Sequence, residues 1–113
     1  MSQRKLVGRI LRSELSPGTT RRLEYPPFNV LVANLGGIPF AIDDTCNHAG
    51  ESLAKGDLDG PYVNCPAHGY IFDVRTGALV TPVGLCQDQR TFEIIAEGDE
   101  FVVYDYPLVL TLG

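Results

Sequence analysis

Cys46-Asn47-His48 and Cys65-Pro66-Ala67-His68 each set one thiolate beside one imidazole, with the sixteen residues 49 to 64 between the two runs. Together they use both histidines of the chain and two of its three cysteines. Little else is left that binds a soft or borderline metal, so the fold is expected to bring the runs together around one centre. Their internal order narrows the choice. A zinc finger usually places its cysteine pair and its histidine pair in separate halves, whereas each half here supplies one of each. The mixed order suits a two-iron cluster, with both cysteines on one iron and both histidines on the other. A zinc site is the alternative left open by the residues alone, and burial of all four as ordinary core residues is the weakest reading.

The neighbours of these runs carry a family resemblance. Cys46-Asn47-His48 and Cys65-Pro66-Ala67-His68-Gly69 match the two halves of the Rieske signature, Cys-x-His and Cys-x-x-His. Phe40-Ala41-Ile42-Asp43-Asp44 precedes the first half, Gly50 and Gly56 follow it, and Phe72-Asp73 with Thr76-Gly77 follows the second. The chain resembles Rieske [2Fe-2S] proteins over most of its length. The resemblance implies one [2Fe-2S] cluster on Cys46, His48, Cys65 and His68, with the two histidines as the points where electrons enter and leave. It also implies that Asn47, Gly50, Glu51, Pro66, Ala67, Gly69, Tyr70 and Phe72 surround the cluster. Gly50 and Gly69 are expected to let backbone amides turn towards cluster sulfurs, and Pro66 to stiffen the second loop.

The rest of the chain reads as strands. Lys5 to Arg12 alternates weakly, Ser16-Pro17-Gly18 signals a turn, and a second strand lies near Thr20 to Glu24 before Pro26-Pro27. Asn29 to Asn34 and Ile38 to Ile42 form a hairpin through Leu35-Gly36-Gly37. Tyr62-Val63-Asn64, Tyr70 to Asp73 and Ala78-Leu79-Val80 are short strands, the last two joined by Arg75-Thr76-Gly77. A closing hairpin joins Thr91 to Ala96 and Phe101 to Tyr104 through Glu97-Gly98-Asp99. The apolar end, Pro107 to Gly113, is expected to pack as a tail. The pattern is all-β. Residues 1–113 are expected to form a single domain with about 44–84 inserted between the strands of a base formed by 1–43 and 85–113. The resemblance implies that this is a Rieske-like β-sandwich whose insertion is the cluster-binding subdomain.

Composition bounds the role. With 113 residues, 44% of them hydrophobic and 20% charged, the chain can bury one core but not two independent ones. No apolar run approaches the roughly 20 residues needed to cross a bilayer. Met1-Ser2-Gln3-Arg4-Lys5 has neither the apolar stretch of a secretory signal nor twin arginines, so a soluble cytoplasmic protein is expected. Cys86 alone remains outside the two runs, which leaves no second free thiol for a disulfide, and it reads as an apolar filler. A net charge of −5 disfavours nucleic acid and favours a basic patch on a protein partner. Asp43, Asp44, Glu51, Asp57, Asp59 and Asp73 fall in the cluster-bearing half, and their grouping suggests a docking face.

Catalysis is expected to lie in a partner, because no histidine remains for a non-haem iron and no Gly-x-Gly-x-x-Gly run is present for a dinucleotide. The resemblance implies a ferredoxin, a carrier rather than an enzyme, which takes single electrons from a flavin-dependent NAD(P)H reductase and hands them to a terminal oxygenase in aromatic hydrocarbon catabolism. A monomer suits such a shuttle. Other readings are an accessory subunit similar to the small subunit of nitrite reductase and a zinc-stabilised interaction module.

The resemblance also bears on potential. High-potential Rieske proteins carry a cysteine in each loop, joined as a disulfide, where this chain has Glu51 and Ala67. They place serine and tyrosine hydroxyls against the cluster where this chain has Tyr70 and Phe72. Phe72 has no hydroxyl, and the Tyr70 hydroxyl sits too far from its Cα to imitate a serine. Voltammetry should therefore find a midpoint near the bottom of the Rieske range of roughly −150 to +300 mV, raised by Phe72→Tyr or Tyr70→Ser. A midpoint well above zero against hydrogen contradicts the expectation.

Overall fold

The protein is described by a computed structural model covering residues 4–26, 28–45, 52–66, 69–81 and 88–105. Its long strands follow the apolar runs: β1 (Lys5–Leu11), β2 (Thr20–Tyr25), β3 (Phe28–Leu35), β4 (Ile38–Asp43), β9 (Thr91–Glu97) and β10 (Glu100–Asp105). Between β4 and β9 lie four short ones, β5 (Leu58–Asp59), β6 (Tyr62–Asn64), β7 (Ile71–Asp73) and β8 (Leu79–Thr81). Single 3-10 turns at Arg12–Glu14 and Leu53–Lys55 are the only helical elements among the described residues.

The long strands form one antiparallel sheet in the order β1-β10-β9-β4-β3-β2, and the short ones a second in the order β5-β6-β7-β8. The larger sheet folds over on itself. Ile10 of β1 and Phe101 and Val103 of β10 share a core with Val30 and Val32 of β3, Ala41 of β4 and Phe92 of β9. The alternate residues of β3 and β4 point the other way. Leu31, Ala33 and Ile42 pack with Leu53, Val63, Cys65, Phe72 and Val74 in a second core beneath the smaller sheet. Val30, Leu31, Val32 and Ala33 are consequently all 0% exposed. A strand buried on both faces reads as a continuous apolar run, because side chains alternate between two cores rather than between core and water.

Local departures from the sequence pattern have visible causes. The weak alternation of β1 reflects a register shift between Leu6 and Gly8, a bulge that puts two residues opposite one. The last hairpin is tighter than its sequence suggests: Glu97 stays in β9 opposite Glu100, leaving Gly98 and Asp99 as the turn. Strand β5 has only two residues, too few for a periodic signal. Cys86 and the tail from residue 106 onwards lie outside the described residues.

At one end of the larger sheet a buried carboxylate of β10 joins β2 to the residue just before β9. Asp105, 4% exposed, accepts a hydrogen bond from Tyr25 Oη at 2.6 Å and one from Arg90 Nη2 at 2.6 Å. Burial and then the bond to Asp105 push the Tyr25 phenol above its ordinary pKa. The Arg90 guanidinium also lies over the Phe92 ring, whose edge meets Tyr25. The cation is thus shared between a carboxylate and an aromatic face.

The two-sided burial of β3 is checked by chemical denaturation. Leu31→Ala should cost about 2–5 kcal/mol, whereas Ile38→Ala at an exposed position should stay within about 0.5 kcal/mol. Equal costs would show that Leu31 does not stand between two packed layers.

Candidate metal centre

The two Cys/His runs begin where strands of different sheets end. The first follows β4 directly. Asp44 is 1% exposed, and its carboxylate accepts from Ser52 Oγ at 2.5 Å and from Ala54 N at 2.8 Å. Its carbonyl accepts from Leu53 N at 2.7 Å, and Thr45 and Ser52 form an isolated antiparallel bridge. Asp44 and Thr45 are therefore joined to Ser52, Leu53 and Ala54 in a closed neck. Cys46, Asn47, His48, Gly50 and Glu51 lie outside the described residues.

The second run follows β6. Cys65 is 1% exposed and belongs to the core beneath the smaller sheet, together with Leu53 from the neck of the first run. Its amide donates to the Tyr70 carbonyl at 2.7 Å, and its carbonyl accepts from Gly69 N at 3.0 Å. Gly69 adopts φ +70°, the left-handed conformation a tight return requires. Its own amide is spent on the Cys65 carbonyl, so the turn closes on the residue that opens the run. Pro66 is exposed; Ala67 and His68 lie outside the described residues. The Phe72 ring is fully buried in the same core as Cys65, and Tyr70 packs against that core.

A close approach joins the two necks. A Cβ on Gly56 would stand 1.7 Å from the Asn64 carbonyl oxygen, so the turn after Leu53 meets the residue before Cys65 with no room for a side chain. The donor chemistry fits a cluster, and the described thiol of Cys65 shares one core with Leu53 from the neck of the first run. Among the described residues no group of three or more His, Cys, Asp or Glu side chains could hold a metal ion, since Cys65 is the one described member of the four.

The acidic residues separate by role. Asp44 is consumed in the neck and is unavailable for docking. Asp73 accepts from Arg75 Nε at 3.0 Å, Nη2 at 2.8 Å and the Arg75 backbone amide at 2.9 Å, and the Arg75 side-chain bonds hold its carboxyl below the usual range. Asp43 is pushed up, chiefly by burial, although its contact with the Thr45 amide and the nearby Arg90 oppose that. Asp57 and Asp59 remain exposed. The docking face expected from sequence thus shrinks, among the described residues, to the latter pair and the outer edge of Asp73.

Comparison with known proteins adds identity. The family described as the Rieske [2Fe-2S] domain matches residues 7–93. The chain belongs to that family. This Rieske chain is 43% identical, over 80% of its length and 83% of the relative's, to the ferredoxin component of biphenyl 2,3-dioxygenase from Rhodococcus jostii strain RHA1. It superposes with TM-score 0.79 and 29% identity on the ferredoxin of carbazole 1,9a-dioxygenase from Nocardioides aromaticivorans IC177, covering 88% of this chain and 96% of that one. It also matches, with TM-score 0.81 and 30% identity over 96% of this chain and 100% of the other, a chain in the complex of reduced oxygenase and oxidised ferredoxin of carbazole 1,9a-dioxygenase. The relatives are ferredoxin components of dioxygenase systems, electron carriers rather than the catalysts. No helix among the described residues is long and apolar enough to cross a membrane.

The Asp73–Arg75 pair gives a pH test. Because the folded-state pKa of Asp73 is depressed, its contribution is present above the ordinary carboxylate pKa of about 4 and is lost as pH falls through the lower folded value. Asp43 works in the opposite sense, since a raised pKa subtracts stability as pH rises. Arg75→Met should therefore lower the melting temperature at pH 7, with the gap from the parent closing as pH drops into the range where Asp73 is protonated. A gap that is constant with pH would mean that Arg75 acts through packing alone.

Proposed function

We propose that this Rieske protein is the ferredoxin component of an aromatic-ring dioxygenase system, carrying single electrons from a flavin-dependent NAD(P)H reductase to a terminal oxygenase. The observation that carries this reading is a chain matched in extent and 43% identical to a biphenyl dioxygenase ferredoxin, with both Cys/His runs complete. A bound [2Fe-2S] cluster supplies a one-electron couple. In this reading Cys46 and Cys65 hold one iron and His48 and His68 the other. The residues from about 44 to 84 act as a cluster-binding insertion in the base formed by 1–43 and 85–113, and the smaller sheet with its buried Cys65 supports that division.

The chain's own residues then have separable tasks. Cys65 is anchored by the β6–β7 return, so its thiolate is presented from packed structure rather than from a free loop. Phe72 fills the space beneath without offering a hydrogen-bond donor, in keeping with a low potential. His48 and His68 serve as the contact points for both partners. Interfaces of electron-transfer encounters are small, under about 1,200 Å², and suit a cytoplasmic monomer that must leave one partner for the other.

The purified protein should be red-brown, and its reduced form should give the EPR signal of a Rieske centre. Cys46→Ala should abolish the visible absorption, while Cys86→Ala should leave it intact. A colourless protein that retains zinc would sink the proposal. Product formation by a reductase and a terminal oxygenase should depend on added carrier; turnover that is unchanged without it would remove the assigned role.

A further inference from the structure

Gln89 is a polar residue buried to 4% exposure at the point where the chain returns from the smaller sheet to β9. Its amide nitrogen donates to two carbonyls on the opposite side of that junction, Asp43 O at 2.8 Å and Thr45 O at 2.7 Å. Both of its N–H donors thus bracket Asp44. Its backbone amide meanwhile donates to Gly77 O at 2.7 Å, in the turn between β7 and β8. One residue therefore touches the outgoing strand, the returning strand and the smaller sheet.

The Thr45 carbonyl belongs to the peptide group that joins Thr45 to Cys46, a planar unit with no free rotation of its own. Holding that oxygen acts directly on the backbone that leads into the first run. The neighbouring bonds act on the same few atoms: Asp43 Oδ1 accepts from Thr45 N at 2.9 Å, Asp44 N donates to Asn29 O at 2.9 Å, and the Asp44 carboxylate holds Ser52 and Ala54 on the far side of residues 46–51. The sheet alone requires none of the side-chain bonds, since β4 already pairs with β9 through Ala41 and Ile42.

We propose that Asp44, Ser52 and Gln89 are positioning residues for the metal centre, a side-chain clasp that fixes the neck of the first ligand run relative to the second. Mutation of groups that orient metal ligands typically costs about 10- to 100-fold in metal affinity or activity. The inference rests on the ligand assignment proposed above. Asp44 aligns both ends of the neck, Ser52 closes it, and Gln89 ties it to the sheet that carries Cys65.

The test compares holoprotein variants. Ser52→Ala and Gln89→Leu should each lose the cluster to a chelator about tenfold faster or more, and shift the g-values of the reduced EPR signal. Ser52→Thr, which keeps the hydroxyl, should return both readouts towards the parent. Val103→Ala, in the core remote from the runs, serves as the control for destabilisation alone and should leave the EPR signal unchanged. If Gln89→Leu fails to fold, Ser52→Ala decides, since it removes a single part-buried hydroxyl. Clasp variants that keep the parent's EPR signal and lose the cluster no faster than Val103→Ala would overturn the inference while leaving the ligand assignment intact. A parent protein with no Rieske signal would overturn the ligand assignment itself, and the clasp's role with it.

Discussion

The middle of strand β3, Val30 to Ala33, has no solvent face, and the rest of the structure depends on that. Val30 and Val32 close one core and Leu31 and Ala33 another, so the two layers are packed against alternate residues of one strand. Interiors are close-packed and do not deform continuously, and a displacement on one side of such a strand is felt on the other. The second core also contains Cys65, Leu53 and Phe72. The smaller sheet is therefore no loose appendage on the larger one: its hydrophobic floor is the outer face of β3 and β4.

Apolar packing fixes the layers, but it does not fix which backbone atoms face each other where a chain leaves a sheet and returns. Buried polar groups do that here, because a buried donor or acceptor that loses its partner costs more than a typical hydrogen bond contributes. Asp44, Gln89 and Asp105, all nearly inaccessible, lie close in the fold to the junction of β4, β9 and β10. Among the described residues no buried side-chain nitrogen or oxygen lacks a hydrogen-bond partner. Each of these groups thus selects one register at the junction, where hydrophobic contacts alone would tolerate several.

The sequence made the strands and the chemistry legible for different reasons. Strands β3, β4, β9 and β10 announce themselves because a period of two, or an unbroken apolar run, is a local property. The Cys/His runs are legible because their residue types are scarce and their order is unusual. Asp44 and Gln89 were opaque. An aspartate beside Asp43 resembles a solvated turn, and nothing local marks a glutamine whose partners lie 44 and 46 residues away. Gly56 is similar: it stood in the motif without a stated reason, and the reason is the Asn64 carbonyl, reached only after folding. Long-range polar contacts leave no periodic trace, so these contacts were hidden while the Cys/His runs were plain.

The placement of charge follows from the same division. With Asp44 buried and Asp73 held by Arg75, the acids free to meet a partner are fewer than the count of carboxylates in this half of the chain suggests. A modest acidic surface on a chain of net charge −5 still raises the encounter rate with a basic patch, yet exposed charges contribute little to the lifetime of the complex once salt screens them. That combination suits an electron carrier, since electron-transfer encounters are weak and brief. The buried carboxylates hold backbone in place, and the exposed ones are left to face solvent; burial decides which of the two each does.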